Sequence, residues 1–358
     1  MKIVSLLKSC GEFYRTDGFK HVFESAGHHW LWWNQSQTPI FDILDQNQDI
    51  DIFWGTTFDL TESIVRALNE RPEIKLVLKG GDWGPITPEV RRWAQSANVP
   101  CPIVFAEDKD ILLTEKLVHK NILIICHYHE NSIENTMSGW QELGVKVAGI
   151  PNAADIFEYS LGEVKPEFIS DVSYVGGYWP HKAINMNQYL MKILPSAYPQ
   201  YNFSVKIWGN QGFQLVPEFL GHIDTKHVRH IYRSAKVCPS FSEPHSTKFG
   251  YDVIERPFKV LSSGGFCISD YVRSLYDDFF SENQLPVYRN FDEFMFLTET
   301  AIKNPADAQK IAAQGRKVVL QEHTYFHRVD ALLKRLGLTE DAKIIMDRWN
   351  VLKEIYDV

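Results

Sequence analysis

The sequence predicts an α/β protein built from two doubly wound parallel sheets. Its 358 residues are too many for one ordinary domain and suit two of middle size. Short β-rich apolar runs alternate with helical stretches along the chain, as in parallel sheets covered by crossover helices. The alternation starts over after Pro151–Pro166, which reads as a crossing segment. The expected division is an N-terminal domain over 1–165, a C-terminal domain over 166–340 and a final helical segment over 341–358.

In the first half, Ile3–Leu7 reads as a strand, followed by a loop with Gly11 and Gly18 and a helix over Phe19–Ser25. Trp30–Trp33 and Ile50–Trp54 read as the next strands, with a helix near Glu62–Asn69. Ile74–Leu78 gives a strand that ends on Lys79-Gly-Gly-Asp-Trp-Gly84. Ile103–Phe105, Asn121–Cys126 and Val145–Ile150 complete the strands, with a helix near Ser132–Leu143. The second half places strands at Asp171–Val175, Phe203–Trp208, Ala235–Pro239, Phe266–Ile268 and Leu285–Tyr288. Its helices are expected at Ala183–Ile193, Pro305–Leu320, Tyr325–Leu336 and Asp341–Tyr356. Ligands of such sheets gather at the carboxyl ends of the strands, and two such halves imply a cleft between them.

Composition narrows the function. Hydrophobic residues make up 44% of the chain, enough for two cores, and 23% charged residues is ordinary for a globular protein. Aromatic content is 13%, with ten Trp. Most rings belong in a core, although a flat ring also covers the apolar face of a sugar. A net charge of −8 argues against holding nucleic acid by bulk phosphate neutralisation and leaves a local basic cleft open. The apolar run at the start is too short for a signal-peptide core, and no run approaches the ~20 residues of a membrane span. The five cysteines, Cys10, Cys101, Cys126, Cys238 and Cys267, are scattered without CxxC spacing. They read as buried thiols of a reducing compartment, so a cytoplasmic location is expected.

The most informative stretch is Tyr251-Asp-Val-Ile-Glu-Arg-Pro-Phe-Lys-Val-Leu-Ser-Ser-Gly-Gly-Phe-Cys-Ile-Ser-Asp270. It reads as a helix of two to three turns, stopped at Gly264-Gly265 and feeding a strand. Its early turns carry Glu255, Arg256 and Lys259. Free amides and the dipole at that end suit a diphosphate, Arg256 can neutralise phosphates, and a carboxylate can accept both ribose hydroxyls. Taken alone, these residues fit a surface helix with ordinary ion pairs better. Gly176 and Gly177 close a strand where a phosphate can approach the backbone, with Lys182 just beyond, and a plain tight turn is the alternative.

With these segments in view, the sequence resembles the GT-B glycosyltransferases, especially the spore-maturation-type (CgeB-like) branch and more distantly the phage DNA glucosyltransferases. The resemblance rests on Arg256-Pro-Phe-Lys259, Leu261-Ser-Ser-Gly264-Gly and Ile268-Ser-Asp270-Tyr, in that order. It also rests on Asp171-Val-Ser-Tyr-Val-Gly-Gly177-Tyr-Trp, Lys206-Ile-Trp-Gly209-Asn210, Phe219-Leu-Gly221-His-Ile223 and His323-Thr-Tyr-Phe-His327-Arg328. It implies two Rossmann-like domains, with a nucleotide-diphosphate sugar, UDP-linked in the usual case, held by Gly176, Gly177, Lys182, Gly209, Asn210, Ile223, Glu255, Arg256 and Lys259. Gly221, His222 and Ile223 fall where the nucleobase edge is read. The resemblance also implies that 341–358 returns to the N-terminal domain, and that phosphates are neutralised without a metal or a tightly bound cofactor. One position departs: the ribose-binding acid of the family is Lys259 here, and Glu255, one turn earlier, is the substitute on the same face.

The N-terminal half offers a general base. Asp82 directly follows a strand and resembles the base of the phage enzymes in position, while Asp17, in the loop after the first strand, is the rival. His127 and His129 stand at i, i+2, one face of a strand end, and suit acceptor contact better than a metal, since no further ligand cluster is evident. The acceptor stays open among glycan, protein, small molecule and modified DNA. For DNA, Arg91-Arg92 with Lys109, Lys116 and Lys120 is a thin basic patch. Two other classes remain: an epimerase or phosphorylase on the same fold, and a non-catalytic nucleotide-sugar or glycan-binding module.

Overall fold

The structure is a computed structural model that describes residues 1–6, 13–97, 101–118, 121–209, 212–213 and 215–356, with side chains from residue 16 onward in the second of these spans. The chain divides into two compact units. Unit 1 comprises Met1–Trp93, Pro102–Pro151 and Tyr325–Leu352; unit 2 comprises Ala94–Cys101, Asn152–Thr324 and Lys353–Val358.

Unit 1 holds a six-stranded sheet of β1 (Lys2–Leu6), β2 (His29–Trp33), β3 (Ile52–Thr56), β4 (Lys75–Lys79), β5 (Ile122–Cys126) and β6 (Lys146–Gly149). Its order is β2-β1-β3-β4-β5-β6, every neighbouring pair parallel. The strands β3 and β5 are buried at every residue, as continuous apolar strands of a sheet covered on both faces should be. Its helices up to β6 are α1 (Phe13–Ser25), α2 (Ile40–Gln46), α3 (Glu62–Asn69), α4 (Thr87–Ser96), α5 (Asp108–Glu115), α6 (Ile133–Thr136) and α7 (Ser138–Glu142). Thr61 caps α3 by accepting from the amide of Ile64 at 3.2 Å.

Unit 2 holds β7 (Ser170–Val175), β8 (Val205–Trp208), β9 (Ala235–Ser240), β10 (Cys267–Asp270) and β11 (Val287–Tyr288), ordered β11-β10-β9-β7-β8 and again parallel. Around them lie α8 (Pro180–Gln188), α9 (Thr225–Ser234), α10 (Pro244–Phe249), α11 (Arg256–Ser262), α12 (Phe291–Lys303) and α13 (Pro305–Glu322). One core of unit 2 packs Tyr174, Met186, Phe213, Phe241, Tyr288 and Phe294. The chain then rejoins unit 1 through α14 (Tyr325–Arg335) and most of α15 (Thr339–Ile355), where Tyr325 meets Phe19 of α1 with ring centroids 5.0 Å apart.

Three local expectations are corrected. Ile103–Phe105 forms no ladder strand: Phe105 makes an isolated bridge to Asp82, because that loop runs alongside for one residue pair and then diverges. The expected helix over Ser132–Leu143 is broken at Met137, whose φ of −133° is not helical. The helix expected over Ala183–Ile193 stops at Gln188 and gives way to a 3₁₀ turn at Leu190–Ile193. Among the described residues, no helix is long and apolar enough to cross a membrane.

Candidate active site

In unit 2 the chain leaves β7 for β8 on one side and returns to β9 on the other, so the strand order reverses between β7 and β9. The crevice outside the carboxyl ends at such a reversal is where open α/β sheets receive ligands. Gly176-Gly177 follow β7 there, Gly209 follows β8, and Phe241-Ser242-Glu243 follow β9.

Arg256 opens α11 and reaches this edge. Its Nη1 donates to the Val175 carbonyl and its Nη2 to the Tyr174 hydroxyl at 3.0 Å, while the guanidinium lies 4.2 Å from the Tyr174 ring centroid. Its Nε is buried and has no hydrogen-bond partner among the described residues, whereas buried donors are usually paired with protein or water. Glycines make the position accessible. Gly176 has φ +154°, and a Cβ there would stand 2.6 Å from Arg256 Nη2; a Cβ on Gly209 would stand 1.8 Å from the Gly176 carbonyl oxygen. The Gly209 amide donates to the Gly221 carbonyl at 3.0 Å, and Ile223 packs against the cluster of Phe168, Trp208 and Ile231 at the end of β8.

Glu255 and Lys259 meet each other, Nζ to Oε2 at 2.5 Å, one helical turn apart. Lys259 also lies 4.7 Å from the Tyr159 ring centroid. Burial pulls the Lys259 ammonium down, and the Glu255 carboxylate with Tyr159 more than offsets it, leaving the group raised and charged. The helix α11 itself is seven residues, about two turns. Lys182, on α8, sits 3.5 Å from Glu243 Oε1, as does His181 Nε2. Beneath this edge, the Ser242 amide and hydroxyl donate to the Asp270 carboxylate at 2.8 and 2.7 Å. Burial pushes Asp270 up to about 6 against the pull of those bonds.

In unit 1, Asp82 follows β4 and is buried. Its amide donates to the Val104 carbonyl at 2.8 Å, and its Oδ1 accepts from the Tyr128 hydroxyl at 2.8 Å. Around it the Trp83 and Trp140 rings meet edge to face at 5.2 Å, and Trp140 Nε1 donates to the Gly81 carbonyl at 2.9 Å. The backbone of this turn is therefore fixed from several sides, which holds the carboxylate in one place.

Two expected placements change. Asp17 lies within α1, whose helix begins at Phe13, not in a loop after β1. His127 and His129 do not share a strand face, because β5 ends at Cys126; they stand in the bend after it, with Tyr128 between them turned onto Asp82. Asn210 lies outside the described residues. The residues that sequence reasoning missed are Tyr128, His181, Glu243, His245 and Asp252. The signal for Glu243 and His245 was a polar run directly after a buried strand, Ser240-Phe-Ser-Glu-Pro-His245, at the end where ligands collect.

Residues 172–334, just under half of the chain, match the model of a glycosyl transferase-like family. No curated protein matches the sequence. Among solved structures, T4 phage β-glucosyltransferase in complex with UDP and Mn2+ superposes with a TM-score of 0.57 at 13% identity, covering 94% of this chain and 99% of that one. An α-glucosyltransferase in complex with UDP-glucose and DNA containing an abasic site gives 0.65 at 9% identity, covering 94% and 99%. Sucrose-phosphate synthase from Thermosynechococcus elongatus gives 0.58 at 11% identity, covering 100% and 99%. Residues 172–334 thus carry a glycosyl transferase-like segment, and the chain as a whole has the two-sheet GT-B fold of these structures.

Proposed function

We propose that the chain moves a sugar from a UDP-sugar to an acceptor hydroxyl, with the donor held by unit 2 and the acceptor by unit 1. The observation that carries this reading is Arg256, fixed at the β7–β9 reversal with a buried, unserved Nε donor. A guanidinium held in place and largely desolvated binds a diphosphate far better than one free in water. The Gly176 and Gly209 backbones supply close approach, and Ile223 an apolar wall for the base. Glu255 is the remaining acid for the ribose, oriented by its pair with Lys259. The T4 phage enzyme and the α-glucosyltransferase were seen with UDP or UDP-glucose, which favours uridine as the base.

In this mechanism Asp82 accepts the proton of the acceptor hydroxyl as its oxygen bonds to the anomeric carbon. The bond from that carbon to the diphosphate oxygen breaks, and UDP leaves with the electron pair, its charge met by Arg256. Such a base belongs to a single displacement with inversion. The acceptor we favour is not DNA: Arg91 is paired with Glu107 at 3.3 Å and Lys116 with Glu62 at 2.6 Å, so the basic patch is partly neutralised within the protein. A cytoplasmic location belongs to the same proposal, supported by the buried thiols Cys126, Cys238 and Cys267.

The test is a thermal-shift screen over nucleoside diphosphates and their sugars, since a ligand of the folded state stabilises by an amount that grows with its concentration over Kd. UDP-sugars should raise the melting temperature, and labelled donor should yield a transferred product. Binding without hydrolysis or transfer across a broad acceptor panel would establish a binding module. A changed sugar in the absence of any acceptor would establish an epimerase, and a salt-sensitive shift of duplex DNA would restore DNA as acceptor.

A further inference from the structure

We propose that Glu243, His245 and Asp252 form a site for one first-row divalent cation, of the Mn2+ or Zn2+ kind, at the ligand edge of unit 2. Among the described residues these three offer ligand atoms that all lie within 4.8 Å of one another. His245 Nε2 stands 2.8 Å from Asp252 Oδ2 and 3.7 Å from Glu243 Oε2. A cation with bonds of ~2.1 Å to nitrogen and oxygen separates its ligands by roughly 3.4 Å, between these two distances. Shifts of a few tenths of an ångström would complete the set. The donor chemistry, one imidazole and two carboxylates, suits borderline cations and is a poor match for Mg2+ or Ca2+, which take oxygen alone.

The local fold builds this group. Pro244 starts α10 directly after Glu243, and Gly250, at φ +80°, ends it after six residues. The chain reverses there, which returns Asp252 to His245. The side chains of His245, Asp252 and Glu243 are 1%, 6% and 11% exposed, so the two carboxylates face an imidazole out of water. A second observation lies outside the trio. His181 Nε2 and Lys182 Nζ each stand 3.5 Å from Glu243 Oε1, leaving Oε2 as the oxygen turned to His245. Outer groups that fix one oxygen of a carboxylate are how metal sites orient their ligands. With a neutral imidazole, the two carboxylates and Lys182 sum to −1, a deficit that a bound cation reverses. Three protein ligands also leave positions open to water or to an anionic ligand.

The site is tested on the full chain, stripped with chelator and free of nucleotide, by calorimetric titration with Mn2+ and with Zn2+. One equivalent is expected, with affinity lost more than tenfold in His245→Ala and in Asp252→Asn. Addition of one equivalent of Zn2+ should displace the ring signals of a single histidine, a readout on the wild-type chain that stands even where a variant fails to fold. No uptake at millimolar metal, or uptake that both folded variants retain, overturns the site. A histidine that titrates identically with and without metal also overturns it, and leaves a proton on His245 as what balances the two acids. UDP binding measured in EDTA is a separate quantity, so failure here leaves the donor reading untouched.

Discussion

The two sheet edges are built from different residues, and on the proposed reading they serve different chemical tasks. At the edge of unit 2, charge is dense and three cations are anchored within the protein: Arg256 on Val175 and Tyr174, Lys259 on Glu255, Lys182 on Glu243. At the edge of unit 1, one buried carboxylate, Asp82, sits with Tyr128 in a turn walled by Trp83 and Trp140. Holding a diphosphate takes several positive groups fixed before the ligand arrives. Removing one proton takes a single carboxylate, placed and kept ionised. The contrast also explains the reach of the family match, which stops within unit 2 and α14. The groups proposed to hold the nucleotide come from short strand–glycine and helix–glycine segments that a sequence profile captures. The Asp82 environment is assembled from Gly81, Val104, Tyr128 and Trp140, spread over some sixty residues.

The contrast breaks most visibly if Asp82 is removed. Asp82→Asn should lower kcat by about 10²- to 10⁴-fold, the range for loss of a general base. UDP binding by thermal shift should stay as in the wild type. If nucleotide binding falls instead, the two edges do not divide the work as proposed. The reciprocal variant, Arg256→Ala, should weaken UDP binding by about 3 kcal/mol, somewhat over a hundredfold, because a fixed charge-assisted donor set is lost. Arg256→Lys should recover only part of this, since a point charge cannot serve the planar geometry.

Buried acids sharpen the comparison on the stability side. Asp270 is pushed up to about 6 by burial, from an ordinary value of 3.8. Well below pH 3.8 the group is protonated in both folded and unfolded chains, and its contribution is fully present. As pH rises from 4 to 6 the unfolded chain releases the proton first, so stability falls, and above the folded value the loss is complete. The size is about 3 kcal/mol at 1.36 kcal/mol per unit. Urea unfolding of wild type and Asp270→Asn at pH 4.5 and pH 7 measures it: the wild type should lose ground to the variant as pH rises. An unchanged difference would mean that Ser242 holds the carboxylate ionised in the fold throughout.

Much of unit 2 was legible in the sequence, and the physical reason is locality. The strands ending at Val175 and Trp208, the glycines after them, and the helix carrying Glu255, Arg256 and Lys259 lie where the sequence places them to within a few residues. The i, i+4 spacing of Glu255 and Lys259 already put them on one face. Contacts over longer separations were not legible. Nothing in the sequence ties Arg256 to Val175, eighty-one residues away, or Tyr128 to Asp82, forty-six away. The histidines at 127 and 129 drew attention by type, whereas the residue between them makes the contact. Asp17 read as a loop residue because Gly18 suggested a break, yet that glycine lies within α1, where a Cβ would meet the Tyr325 ring. The cluster of Glu243, His245 and Asp252 was hidden for a related reason: a six-residue helix and an αL glycine are too short a pattern to foretell that Asp252 returns to His245.

The smallest expected effect separates placing a base from being one. The Tyr128 hydroxyl donates to Asp82 Oδ1, and a hydrogen bond to the charged form lowers the pKa of a carboxyl. Tyr128→Phe removes that bond while keeping the ring, so the Asp82 carboxylate should become more basic. The bond is worth about 1 kcal/mol. The acid limb of the kcat/KM profile should therefore move to higher pH, with activity at pH 8 changed less than twofold and activity at low pH reduced several-fold. Donor binding should not change. A uniform loss at every pH would assign Tyr128 to packing alone, and a profile with no acid limb in either protein would remove Asp82 as the base. A shifted limb that Asp82→Asn abolishes would tie the two residues to one proton.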